Sequence, residues 1–100
     1  MHNKNEYPSK NTQELFKAIL SLKNQKEATQ FFRDLLTPPE IDDFSQRFQI
    51  AKFLYQGNSY AKTAEKLKAS TTTVSRVAHW LFRGRGGYKL ILSRLFSKKD

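Results

Sequence analysis

Apolar residues recur at helical spacing along most of this 100-residue chain, and the few prolines and glycines fall where one recurrence gives way to the next. No stretch shows the sustained period-two alternation of a half-buried strand. The pattern predicts an all-α fold with a non-helical, disordered start at residues 1–9. The expected helices are 11–23, 25–35, 38–56, 60–67, 71–83 and 88–97.

Helix ends are marked by short polar signals. In 37-TPPE-40, Thr37 is expected to cap the third helix, with Pro38 at its first position and Glu40 completing a capping box. Gly57 is the expected terminator of that helix. Asn58 or Ser59 can cap the fourth helix, with Ala61, Ala64 and Leu67 turned inward, and Ser70 or Thr71 can cap the fifth.

The net charge of +9 is concentrated in the second half of the chain. Residues 1–56 hold eight Lys/Arg against seven Asp/Glu, whereas residues 57–99 hold ten against Glu65 alone. A positive field confined to one region indicates a polyanionic partner, most often nucleic acid, although solubility or acidic lipid remain alternatives. The sequence has no cysteine and no apolar run of roughly 20 residues, so a cytoplasmic protein without a membrane partner is expected.

Two short helices joined by a tight turn suggest a helix-turn-helix. If Ala64 is its small buried residue, the other apolar positions fall on Leu67, Ala69, Val74 and Val77, and all five fit. The turn residue is Lys68, where glycine is commonest because the turn often needs a positive φ. A plain helical hairpin is the alternative.

The outward face of the fifth helix carries hydroxyls and a cation but no carboxylate. Threonine offers donors, acceptors and methyl groups, which suit base edges in a major groove. This face is formed by Thr71, Thr72, Thr73, Ser75, Arg76 and His79. Neighbouring candidates for phosphate or other DNA contacts are Ser59, Lys62, Lys66, Lys68, Arg83 and Arg85.

These residues carry a family resemblance. The segments 36-LTPPE-40 and 73-TVSR-76, together with Arg47 and the S-x₄-A-x₂-L-x-A-S pattern from Ser59, resemble the Trp repressor superfamily and most closely its YerC/YecD branch, over about residues 10–97. The resemblance implies six helices in an intertwined homodimer. It implies a dimerisation core at 10–56, a helix-turn-helix at 58–82, a C-terminal helix at 88–97, and groove-facing positions at Thr71, Thr72, Thr73 and Ser75.

The same resemblance implies a corepressor pocket in altered form. Arg47 and Arg76 match the arginines that sandwich an indole, and Thr37 matches the threonine at the base of the pocket. A glycine of the family is Val77 here, and a serine is Trp80. The added volume predicts that tryptophan is not the corepressor, with Arg47 and Arg76 instead stacking on Trp80 or reaching phosphates.

The sequence gives little support for a metal site, a nucleotide-binding loop or an enzyme active site. His2 and His79 lie far apart without an acidic cluster, so no metal and no cofactor are expected. Asp42 and Asp43 are adjacent and diverge on a helix, and the glycines of 83-RGRGGYK-89 do not follow a strand. The sequence predicts a non-enzymatic, sequence-specific DNA-binding transcriptional regulator, a homodimeric repressor in which a small-molecule effector is left open. The alternative is a basic helical module that binds RNA or another protein.

Overall fold

The computed structural model describes residues 6–97, and six α-helices account for most of them. The helices are α1 (Lys10–Leu20), α2 (Gln25–Leu35), α3 (Pro38–Tyr55), α4 (Tyr60–Leu67), α5 (Thr71–Arg83) and α6 (Gly87–Phe96). No strand occurs within the described range. The all-α prediction is therefore confirmed. The chain divides into two compact units, one ending at Ile41 and the other beginning at Asp42.

The first unit begins with a capped helix. Of the segment 1–9, for which the sequence predicts disorder, residues 1–5 lie outside the described residues. Ser9 caps α1 by accepting the Thr12 backbone N–H at 3.1 Å, and the Tyr7 ring lies edge-on to Phe16 with 6.4 Å between centroids. The chain thus takes up a defined local structure before the first helix.

α1 ends at Leu20, three residues earlier than the spacing predicts. The Ser21 hydroxyl donates to the Ala18 carbonyl at 2.6 Å and closes the last turn. Asn24 must then be extended, with φ −160°, for its side chain to accept the Glu27 N–H at 2.9 Å and begin α2. The polar residues at this junction, rather than the apolar ones, decide where α1 stops.

The start of α3 has the expected capping box. The Thr37 hydroxyl accepts the Glu40 N–H at 3.3 Å, and the Glu40 carboxylate accepts the Thr37 N–H at 2.9 Å. The Thr37 backbone N–H and the Thr37 hydroxyl both donate to the Glu40 carboxylate, and these two bonds, the backbone one foremost, lower the pKa of Glu40 from its ordinary 4.5. Gly57 follows the end of α3 with a φ of +96°, as expected of a terminator.

The second unit has a core contributed by three helices. The largest fully buried side chains are aliphatic, apart from Thr63. The core cluster consists of Ile50, Ala51 and Leu54 from α3, Val74, Val77, Ala78 and Leu81 from α5, and Leu92 from α6. Gly84 follows the last residue of α5, and only glycine fits at this position because a Cβ would overlap the carbonyl oxygen of Trp80. The core thus places α5 with four residues inward and the rest of its surface accessible.

Burial differs from the sequence-based expectation in two places. Ala61 is exposed, and Thr63 is buried instead, with its hydroxyl donating to the Ser59 carbonyl at 2.8 Å. That bond satisfies the only polar group of the side chain, so threonine can occupy an apolar position of α4. Phe44 of α3 is half exposed, although apolar residues at helical spacing usually face a core. The last helix spans Gly87–Phe96 rather than 88–97.

Candidate nucleic-acid interface

The turn between α4 and α5 has the backbone conformation that the sequence pattern requires. Lys68 adopts φ 54° and ψ 43°, the left-handed region, and its N–H points at the last carbonyls of α4. The five apolar positions behave as expected. Val74 and Val77 are fully buried, while Ala64, Leu67 and Ala69 pack against the core. Apolar residues on both sides of the turn thus pack α4 and α5 against the same core.

The hydroxyl residues at the start of α5 divide into two groups. Ser70 caps the helix, since its hydroxyl accepts the Thr73 N–H at 3.0 Å. The Thr73 hydroxyl lies 2.9 Å from the same Ser70 hydroxyl, and Thr73 is partly buried. Thr71 and Thr72 are exposed. The threonine triplet therefore presents two side chains outward, while the third supports the cap.

The exposed face of α5 forms a shallow groove of about 520 Å³. Two rows of residues at i, i+4 spacing run along it, and none of them is acidic. The lining consists of Thr71, Thr72, Ser75, Arg76, His79 and Trp80. The structure thus brings together five of the residues that the sequence singled out for this helix and adds Trp80 to them. We call this the α5 groove.

A second surface groove, of about 340 Å³, lies between the start of α4 and the end of α5. Ser75, His79 and Arg83 line it together with Ala78 and two aromatic residues, Tyr60 and Phe82, each half exposed. Sequence reasoning missed Tyr60 and Phe82. Phe82 continues the outward row of Ser75 and His79 at i+4 and i+7, a spacing that could have indicated its position.

The remaining basic candidates are all at the surface. Lys62, Lys66, Lys68, Arg83 and Arg85 are exposed. The three lysines line neither of the two grooves. Ser59 is exposed and caps α4 by accepting the Lys62 N–H at 3.0 Å.

Of the residues matched to a corepressor pocket, Arg47 and Trp80 lie close to each other, and the others have separate surroundings. Val77 is fully buried in the core. The Arg47 guanidinium lies 6.0 Å from the centre of the Trp80 ring and 5.6 Å from that of Phe44. Arg76 opens onto the α5 groove instead. Thr37 is occupied by its hydrogen bonds with Glu40, which include one of 3.0 Å between the two side chains.

Trp80 also borders a third groove, of about 790 Å³ and largely apolar. Its other walls come from Phe48 of α3, from the glycine-containing segment after α5, and from Tyr88 and Ile91 of α6. Tyr88 is partly buried, and desolvation raises the pKa of its hydroxyl, with the nearby positive charge of Arg47 acting in the opposite direction. The indole thus lines both the α5 groove and this apolar groove.

Two other kinds of site find no support among residues 6–97. No three His, Asp or Glu side chains in this range come close enough together to hold a metal ion. No helix in the same range is long and apolar enough to cross a membrane.

Comparisons with known proteins agree with this architecture. A family model described as Trp repressor protein matches residues 10–96. The uncharacterized protein YerC of Bacillus subtilis (strain 168) is 42% identical over 86 residues, which are 86% of this chain and 83% of that protein. The crystal structure of a TrpR-like protein from Eubacterium eligens ATCC 27750 has 43% identity and a TM-score of 0.85, covering 93% of this chain and 96% of the other. A Trp repressor candidate from Staphylococcus aureus has 43% identity and a TM-score of 0.84, covering 92% of both chains. The chain belongs to the Trp repressor family, in the Trp-repressor-related branch that includes YerC.

Proposed function

We propose that this protein is a non-enzymatic, sequence-specific DNA-binding regulator of transcription in the cytoplasm, a repressor that reads the major groove with α5. The observation that carries the proposal is the α5 groove. The first two turns of α5 expose Thr71, Thr72, Ser75 and Arg76 and no carboxylate. An α-helix fits the major groove, and its N-terminal residues are the ones that reach base edges.

The turn and the basic rim support this proposal. Lys68 holds the left-handed turn of a helix-turn-helix, and the core fixes α5 through Val74 and Val77. Exposed Lys62, Lys66 and Arg83 can then neutralise phosphates on either side of the reading helix. Members of the same family include proteins described as Trp repressors, which is consistent with a DNA-binding role.

A salt titration tests the DNA partner. The chain should bind a pool of duplex DNA more tightly than RNA of the same length, and a site selected from that pool more tightly than its scrambled sequence. Lys66→Ala should weaken binding to every duplex alike and reduce the slope of log affinity against log salt by about 0.9. Equal binding of RNA and duplex DNA at all salt concentrations would contradict the proposal.

A charge-matched pair of variants tests the reading helix. Thr72→Glu places a carboxylate on the α5 groove, where it would face phosphates and base acceptors, so binding of the selected site should be lost. Gln49→Glu makes the same change of charge on the exposed surface of α3 and should retain binding. Both variants should keep the wild-type helical circular dichroism. Wild-type affinity of Thr72→Glu would show that α5 does not enter the major groove of the duplex.

We further propose that the protein acts as a homodimer built on residues 10–56. α1 and α2 bury no residue within the single chain, and Leu20 is 83% exposed. Apolar helix faces of this kind need a partner surface. Sedimentation equilibrium at micromolar concentration should give a dimer mass, and Leu20→Asp should shift the mass toward the monomer more than Gln30→Asp does. A folded wild-type monomer at that concentration would overturn this architecture.

A second candidate function is suggested by the exposed aromatic side chains. Tyr60, Trp80 and Phe82 are each 44–50% exposed beside basic residues, and single-stranded RNA is commonly bound by stacking on such rings. A basic module that binds RNA or another protein is therefore the alternative. Tyr60→Ala and Phe82→Ala separate the two functions, since they should abolish RNA binding by such a module but spare recognition of duplex DNA by α5.

A further inference from the structure

Trp80 is unusually exposed for a tryptophan. Its side chain is 44% accessible, although tryptophan is strongly buried on average. It lies on the same groove as the outward residues of α5, and within residues 6–97 its indole Nε1–H donates to no side chain or carbonyl group. An exposed ring whose donor has no partner within residues 6–97, on a face otherwise made of hydroxyls, a histidine and a cation, has the chemistry of a contact residue.

The position of Trp80 along α5 fits a backbone contact better than a base contact. It follows Thr72 by two i, i+4 steps, about 12 Å farther along the helix axis. The major groove is about 12 Å wide. If the N-terminal end of α5 contacts base edges, residues about 12 Å farther along the helix therefore lie near the edge of the groove. The rim is formed by phosphates, which accept hydrogen bonds.

A cation is held beside the same ring. The Arg47 guanidinium lies 5.6 Å from the centre of the Phe44 ring and 6.0 Å from that of Trp80, and Arg47 is exposed. Cation–π contacts with two rings restrict a long side chain that would otherwise sample many rotamers. One indole donor and one fixed positive charge therefore occupy neighbouring positions on one side of α5.

We propose that Trp80 contacts the DNA backbone directly, with its indole Nε1–H donating to a phosphate oxygen and Arg47 supplying positive charge beside it. This inference rests on the proposed function, because it requires α5 to dock on duplex DNA. It extends the interface from the hydroxyl face of α5 to an aromatic ring that is 44% exposed. Such a contact is independent of sequence, so a random-sequence duplex is a sufficient probe.

Trp80→Phe separates this role from a purely structural one. Phenylalanine keeps an aromatic ring beside Arg47 but has no N–H. The thermal unfolding midpoint should stay close to that of the wild type, while affinity for a random-sequence 30-base-pair duplex at low salt should fall roughly tenfold, with little change in salt slope. Tyr55→Phe, which removes a polar hydrogen from a ring packed against the core, is the matched control and should bind like the wild type. Wild-type affinity of Trp80→Phe would overturn the inference.

Arg47 is tested in the same titration. Arg47→Gln should weaken binding and reduce the salt slope by about 0.9, whereas Arg47→Lys should restore the slope because the charge is retained. An unchanged salt slope in Arg47→Gln would show that the charge of Arg47 takes no part in the proposed contact. If the wild-type chain binds no duplex, the proposed function itself is wrong. If the wild type binds and the variants bind equally well, only the contact proposed for Trp80 and Arg47 is wrong.

Fluorescence provides a measurement that needs no variant. Trp80 is the only tryptophan of the chain, so quenching by acrylamide reports on this ring alone. The free protein should be quenched readily, and saturating duplex should protect the indole by at least twofold. If saturating duplex leaves the quenching unchanged, or if Trp80 is already protected in the free protein, the indole does not contact DNA.

Discussion

The hydroxyl of Thr73 lies 2.9 Å from that of Ser70, and the Thr73 N–H donates to the same Ser70 oxygen at 3.0 Å. Two residues of the polar run that begins α5 are thus used to hold the first turn. Thr73 therefore contributes to the proposed reading surface less directly than Thr71 and Thr72, which are exposed. This division is invisible in the sequence, where the three threonines look equivalent.

Removal of the cap should destabilise the second unit without altering its charge. Ser70→Ala leaves the Thr73 N–H without its acceptor, so the free energy of unfolding should fall by about 1 kcal/mol in urea titrations. Ser45→Ala, at an exposed interior position of α3, should cost less than half of that. Equal effects of the two substitutions would show that the Ser70 hydroxyl does not stabilise α5.

The fold could be predicted from the sequence where side-chain chemistry acts locally. The capping box at Thr37 and Glu40, the positive φ at Gly57 and the bounds of α5 all depend on residues within one turn of one another, and all three are found as expected. The early end of α1 was missed because Ser21 and Asn24 impose it, while the apolar spacing that continues to Leu22 suggests a longer helix.

Exposure was harder to predict because it depends on neighbours that are distant in sequence. Trp80 and Phe82 lie one residue on either side of buried Leu81, yet both rings remain about half exposed. Helical periodicity gives the direction of a side chain but not what covers it. For this reason the sequence could indicate that Thr71, Thr72 and Ser75 lie on the surface of α5, but it did not identify Phe82 beside them.

The left-handed turn predicts opposite effects of glycine at two neighbouring lysines. At Lys68, with φ 54°, glycine relieves a conformation that costs an L-residue about 1–2 kcal/mol, partly offset by the greater entropy of glycine in the unfolded chain. Lys68→Gly should therefore raise the free energy of unfolding by about 0.5 kcal/mol. Lys66→Gly, inside α4, should lower it by about 1 kcal/mol. Destabilisation by both substitutions would contradict the turn geometry.

The capping box at the start of α3 predicts a difference in acid stability. The folded pKa of Glu40 lies below its ordinary 4.5, so the charged carboxylate favours the folded state. That contribution is present above pH 4.5 and is lost as the pH falls through the lowered folded value. Glu40→Gln should reduce the thermal midpoint at pH 7 and lose less on acidification than the wild type. Glu14→Gln, at an exposed position of α1, should keep the wild-type pH profile. Parallel profiles for all three proteins would remove the proposed role of the Glu40 charge.

The last prediction is that free L-tryptophan does not act as an effector of this protein. Val77 is fully buried in the core, so its isopropyl group occupies space that the glycine at the matching family position would leave open. Trp80 places an indole beside Arg47, where that arginine is already engaged by a ring of its own chain. Overpacking costs about 1–3 kcal/mol, and loss of a hydrogen bond to the ligand ammonium adds roughly 1.5–3 kcal/mol. Together they could remove a micromolar-to-millimolar affinity, which corresponds to only about 4–8 kcal/mol. Calorimetric titration with L-tryptophan should show no saturable binding below a millimolar, and duplex affinity should be the same with and without the amino acid. Saturable binding together with tighter DNA binding would show that a ligand can displace the Trp80 ring from Arg47.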